Sequence, residues 1–171
     1  MARLAVNGGE PVRRKPFPKW PVYDERELKA LRGVLESGVW GVDGERQREF
    51  ERRFASYQDA QYAVTVTSGT AALEIALRAL GVGAGDEVIV PGYTFMATAT
   101  AVIHVNGLPV FADIEPDTYN IDPKEVERLI TDKTRAVIPV HLGGRPADMD
   151  GIMKVAKEHN IAVVEDACQA W

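Results

Sequence analysis

Cysteine is nearly absent from these 171 residues: Cys168 is the only one. One thiol closes no internal disulfide, and three scattered histidines add no metal-ligand spacing, so a disulfide scaffold and a zinc ribbon are excluded. Long apolar runs are lacking as well. None approaches the roughly 18 residues of a membrane span, and the opening MARLAVNGGEPVRRKPFPKWP has no apolar core of signal-peptide length. A cytoplasmic, membrane-free protein is the expectation. Positive charge is in short supply: a net charge of -5 argues against a nucleic-acid partner. Neither GxGxxG nor GxxxxGK followed by Ser or Thr occurs, so no dinucleotide fingerprint or P-loop is supported. With 46% hydrophobic and 26% charged residues the chain has the composition of a globular protein, which excludes disorder.

What is present divides into an arm and a long alternating segment. Residues 1–23 carry Pro11, Pro16, Pro18 and Pro21 among basic residues and read as an irregular arm that lies across a surface, such as that of a partner subunit. Asp24 to Glu27 forms a capping box, Leu28, Leu31, Val34 and Leu35 follow at helical spacing, and Gly38 is a stop. A second helix is predicted over Glu45–Tyr57 with Phe50 and Phe54 on its buried face. Beyond it, strands are predicted at Gln61–Val66, Glu87–Val90, Leu108–Phe111, Ala136–Val140 and Ile161–Val164. Helices are predicted at Thr70–Leu80, Thr94–His104, from Asp122 onward and at Asp148–His159. The strands are continuous apolar runs, as in a parallel sheet covered on both faces, so the expected fold is a three-layer α/β/α with a mostly parallel sheet. The last strand lies close to Trp171, where a further helix or strand is expected. The chain is therefore expected to be an N-terminal portion with an uncovered sheet edge.

In such sheets ligands bind beyond the carboxyl ends of the strands, and three segments fall there. Thr67-Ser68-Gly69-Thr70 joins a strand to a helix. It is either a phosphate cradle built from free amides and hydroxyls or an ordinary helix cap. Pro91 to Phe95 follows the second strand, and its aromatics either stack on a flat ring or fill the core. Glu165 to Gln169 follows the last strand. A carboxylate there needs a cation, such as a protonated pyridine nitrogen or Mg²⁺, unless Asp166 caps the next helix. His104, His141 and His159 make no site by spacing, and Cys168 reads as a small buried residue rather than a nucleophile.

Five stretches, NGGEPVR, TSGTAAL, GDEVIVPGYTFMATA, HLGGRPADMD and VVEDACQA, together resemble the DegT/StrS-type sugar aminotransferases, which use pyridoxal 5'-phosphate and have the aspartate aminotransferase fold. The resemblance implies that residues 24–171 are the N-terminal part of a cofactor-binding large domain of fold type I, with the C-terminal domain absent. It implies that Gly69 and Thr70, with Ser68 beside them, hold the cofactor phosphate, and that Phe95 stacks on its ring. Asp166 would pair with the pyridinium nitrogen, and Gln169 would contact the ring or its 3'-hydroxyl. The implied reaction moves an amino group from glutamate or glutamine to a keto-sugar, nucleotide-linked or not, or to a keto-cyclitol. Pyridoxamine phosphate would be the intermediate carrier, and a homodimer the working unit. Two features depart from the family. The Schiff-base lysine is expected beyond Trp171, so no catalytic residue is assigned within the chain, and Trp171 stands where His-Gly-Ala is more usual. Within the same family, a sugar dehydratase with His in place of that lysine is the alternative activity. A non-catalytic, truncated or regulatory relative is the alternative of another class.

Overall fold

The computed structural model describes residues 3–41 and 43–170, so Trp171 lies outside the described residues. The chain divides at Thr65/Val66 into two units.

In the first unit a short 3-10 turn at Ala5–Asn7 is followed by irregular chain, as expected of an arm. Helix α1 (Glu25–Ser37) begins where the capping box places it: Asp24 Oδ1 accepts from the Arg26 amide at 2.8 Å, and Glu27 accepts from the Asp24 amide at 2.7 Å. Gly38, at φ 69, closes it in the left-handed conformation that glycine adopts without strain. Helix α2 (Glu45–Tyr57) matches its predicted span, but its aromatic pair is not buried. Phe50 and Phe54 stack on each other with centroids 5.6 Å apart and remain exposed, and only Ala55 of this helix is buried. Helical spacing brings the rings together on one face, whereas burying them requires chain from elsewhere. The strand expected at Gln61–Val66 is also not formed. Its β-branched residues favour extended backbone, but a strand exists only when a neighbour completes its ladder. Glu51 instead accepts from both the amide and the hydroxyl of Thr65 (2.8 and 2.7 Å), which holds its carboxyl below the usual range.

The second unit holds the sheet. Helix α3 (Gly69–Ala79) precedes β1 (Glu87–Pro91); then come α4 (Ala97–His104), β2 (Leu108–Ala112), α5 (Pro123–Leu129), β3 (Thr134–Val137), α6 (Met149–His159) and β4 (Ala162–Val163). The four strands are all parallel, in the order β2-β1-β3-β4, with Ile89 opposite Val110 on one side and Val137 on the other. Side chains alternate across a strand, so β1 serves both faces. Val88 and Val90 pack with Leu73 and Leu77 of α3 and Ala101 and Val102 of α4, while Ile89 packs with Val126 of α5 and with Ile152 and Val155 of α6. This is the three-layer α/β/α arrangement anticipated from the apolar runs, with four strands among the described residues in place of five. Boundaries shift by a few residues: α4 starts at Ala97 instead of Thr94, leaving Thr94 and Phe95 in the loop after β1. No helix among the described residues is long and apolar enough to cross a membrane.

From β1 the chain moves first to β2 on one side and then to β3 on the other. The order reverses at β1, and a crevice opens beyond the carboxyl end of a sheet at such a point.

Candidate cofactor site

Asp166 is the polar centre of this crevice. It follows β4, and its backbone extends the sheet by a bridge to Val140, with its amide donating to Pro139 O at 2.9 Å. Its side chain is only 6% exposed. Thr98, fully buried on α4, donates its hydroxyl to Asp166 Oδ2 at 2.8 Å, and the Cys168 amide donates to Oδ1 at 3.2 Å. Because Thr98 has one hydroxyl proton and spends it on Asp166, Thr94 is the donor in the 2.9 Å Thr94–Thr98 contact. The result is a donor chain, Thr94 to Thr98 to Asp166. Asp166 therefore does make the local turn of a capping residue, through the Cys168 amide, yet it faces the pocket as well. No cationic side chain pairs with it among the described residues. A carboxylate held only by neutral donors has capacity left for a cationic N–H.

The start of α3 faces the same space. Ser68 caps the helix, its Oγ accepting from the Ala71 amide at 3.2 Å, while the Gly69 and Thr70 amides precede the first intrahelical bond. Free amides at the positive end of a helix suit an anion. A methyl group at Gly69 would sit 2.6 Å from Cys168 Sγ, closer than two such atoms approach, so any side chain there makes that exposed thiol swing aside. Gly69, Thr70, Leu73, Phe95, Ala97, Asp166, Cys168 and Gln169 line a cavity of about 300 Å³, at the small end of the range for small-molecule sites. Ser68 contributes the cap rather than the lining. Phe95 is 68% exposed, with its ring on the pocket wall and not in the core. Gln169 Oε1 accepts from the Gly143 amide at 2.7 Å, tying the β4 loop to the loop after β3. None of the chain's lysines lines the cavity.

Two residues that lie in the quoted stretches but were assigned no role there complete the arrangement. One is Thr98, hidden in a helix rich in Ala and Thr. The other is His141, which is buried at the end of the β3 segment. Its Nδ1 accepts from the Ala147 amide at 3.1 Å, so the ring proton is on Nε2, aimed at Glu165 Oε2 2.9 Å away. Cys168 corrects an expectation. It is exposed instead of buried, because the turn after Asp166 carries it onto the pocket wall against Gly69. The Asp166 carboxylate beside it, together with partial burial, pushes its thiol up to about 11, so it remains protonated and a poor nucleophile. Among the described residues no cluster of three potential metal ligands occurs.

An anion cradle, an aromatic face and a buried acid thus converge on one cavity, which fits a flat cationic ring carrying a phosphate. Comparison with known proteins points to the same class of ligand. The sequence pattern of the DegT/DnrJ/EryC1/StrS aminotransferase family matches residues 21–171. The L-glutamine:2-deoxy-scyllo-inosose aminotransferase of Streptomyces kanamyceticus is 49% identical over 175 residues, covering 99% of this chain and 41% of that protein. A solved 3-amino-5-hydroxybenzoic acid synthase superposes with a TM-score of 0.88 at 40% identity, covering 91% of this chain and 41% of that one. The PLP-form of the sugar aminotransferase Spr1654 from Streptococcus pneumoniae superposes at 0.81 with 36% identity, covering 88% and 42%. A GDP-4-keto-6-deoxymannose-3-dehydratase superposes at 0.80 with 32% identity, covering 86% and 40%. The chain spans about two-fifths of the length of the relatives it matches.

Proposed function

The chain belongs to the DegT/DnrJ/EryC1/StrS aminotransferase family, and from that premise we propose that it provides the cofactor-holding part of an enzyme transferring an amino group from L-glutamine to a keto-cyclitol or keto-sugar. The observation that carries this reading is the convergence of Gly69, Thr70, Phe95, Asp166 and Gln169 on one cavity. Relatives 43–49% identical bear the names of glutamine-dependent cyclitol aminotransferases, which favours transfer over dehydration, the activity of a neighbour at 32%.

In this reading the Gly69 and Thr70 amides, with the Ser68 and Thr70 hydroxyls, hold the phosphate of pyridoxal phosphate. Phe95 lies against the ring, and Gln169 reaches its hydroxyl edge. Asp166 keeps a proton on the ring nitrogen, and Thr98 fixes the direction in which the carboxylate points. Bound there, the protonated ring supplies an electron sink for the carbanion that transamination requires. His141 and Glu165 brace the strand end that carries Asp166. The lysine that carries and moves protons in this family is assigned to the part of the relatives' length that the chain does not span, since no lysine lines the cavity. The exposed Phe17, Trp20 and Tyr23 of the arm suit packing against a second subunit.

The test is to titrate the complete protein with pyridoxal phosphate and then to supply L-glutamine with 2-deoxy-scyllo-inosose. The expected outcome is a saturable absorbance change that Asp166→Ala abolishes, followed by an aminated cyclitol. Absence of cofactor uptake would sink the reading. Water loss from a 4-keto-6-deoxysugar with no amine product would move the chain to the dehydratase branch.

A further inference from the structure

One buried side chain outside the cavity makes more backbone bonds than any group lining it. Asn120 is 2% exposed and follows β2, yet all of its side-chain bonds go to the HLGGRP loop after β3. Its Nδ2 donates to Arg145 O at 3.1 Å and to Pro146 O at 2.9 Å, and its Oδ1 accepts from the Leu142 amide at 3.1 Å. Two carbonyls on one side and an amide on the other determine the orientation of the side-chain amide. Strands β2 and β3 are separated by β1 in the sheet, so this one residue joins loops on either side of the central strand.

Asn120 is itself firmly held. Its carbonyl accepts from the Glu115 amide at 2.9 Å, its amide donates to Thr118 Oγ1 at 3.1 Å, and an antiparallel bridge joins Ile114 and Ile121 beside it. On the far side, the bonded residues Leu142, Arg145 and Pro146 flank Gly143 and Gly144, which adopt φ 61 and 86. The Gly143 amide then donates to Gln169 Oε1 at 2.7 Å. Asn120 thereby sets the position of a backbone donor that in turn sets Gln169. We propose that Asn120 is a positioning residue for the cofactor site, acting through the Leu142–Pro146 loop on Gln169. This rests on the functional reading above for what Gln169 contacts. The link from Asn120 to Gly143 and Gln169 stands on geometry alone.

The experiment compares wild type, Asn120→Asp, Gln169→Leu and the double variant of the complete protein. It uses pyridoxal phosphate as the probe for Kd, and amide hydrogen exchange over residues 141–147 without cofactor. Aspartate keeps the shape but offers no donor to the Arg145 and Pro146 carbonyls. N120D keeps an acceptor for the Leu142 amide but sets a carboxylate against two carbonyls, so it is expected to speed exchange at Gly143 and to raise Kd about tenfold, the order expected when a buried partner is lost. Q169L, at an exposed position, is expected to raise Kd and to speed exchange at Gly143 but not at Leu142. The double variant is expected to bind no more than about twofold more weakly than the weaker single variant, since both act on one contact. A wild-type Kd in N120D, or effects that multiply in full, would overturn the proposal. If N120D does not fold, the smaller, uncharged Asn120→Ser decides by the same readouts: unchanged Gly143 exchange overturns the link, and faster exchange upholds it. Wild-type protein that binds no pyridoxal phosphate overturns the functional reading, while the exchange data still decide the Asn120 link.

Discussion

The two units treat their leucines in opposite ways. In the sheet unit, Leu73 and Leu77 of α3 are 5% and 0% exposed, whereas Leu31 and Leu35 of α1 are 63% and 62% exposed. Both helices are capped and amphipathic, so helix formation and helix burial have separate causes here. A cap and an apolar stripe need only a dozen consecutive residues. Burial needs a second layer, which β1 and its neighbours supply to α3 within the described chain. The apolar stripe of α1 is a surface whose cover is not among the described residues of its own unit.

That contrast breaks most readily at the centre of the sheet. Ile89→Ala, at a fully buried position packed by two helices, is expected to lower unfolding free energy by about 2–5 kcal/mol in denaturant titration. A loss below about 1 kcal/mol would mean that the sheet unit is no better packed than the helical one. The next effect is chemical. The Cys168 thiol ionises only as pH rises through about 11 in the folded chain, against an ordinary value of 9.0. At about pH 8 an alkylating reagent is therefore expected to label the folded protein about a hundredfold more slowly than the urea-unfolded chain. Equal rates would show that Asp166 does not govern the thiol. Thr98→Val removes one donor from Asp166 at nearly constant volume, and is expected to weaken pyridoxal phosphate binding by roughly tenfold and to cost about 1–3 kcal/mol of stability, as one carboxylate oxygen loses its partner. The smallest effect belongs to α1. Leu31→Ala is expected to change stability by less than about 0.5 kcal/mol in this chain. A larger loss in the complete protein would show that other chain or a partner covers this face.

The same division explains what the sequence made legible. Asp24, Asp122 and Asp148 cap the helices they were expected to start, and Ser68 caps α3, one of the two readings of its turn, because a cap is decided within three residues. The sheet was readable from apolar runs, since a strand buried on both faces has no polar alternation to confuse it. Gln61–Val66 looked like a strand by composition alone and has no ladder. Phe50 and Phe54 share a face by spacing but have nothing above them. At the site, three segments were found from their places at strand and helix ends, the family resemblance singled out Gly69, Thr70, Phe95, Asp166 and Gln169 within them, and one cavity is lined by all five. The roles of Thr98, His141 and Asn120 were not legible because their partners lie 68, 24 and 22–26 residues away, and no local pattern encodes such distances.

The contact between Gly69 and Cys168 has a consequence for anyone redesigning this pocket. The two positions lie at opposite ends of the sheet unit's sequence, yet they share a single allowance of space. A side chain at 69 makes the thiol at 168 turn away or give way to a smaller residue, so the two positions are coupled in design. A library that trades volume between them keeps the wall intact while shifting where a ligand's anionic end can rest.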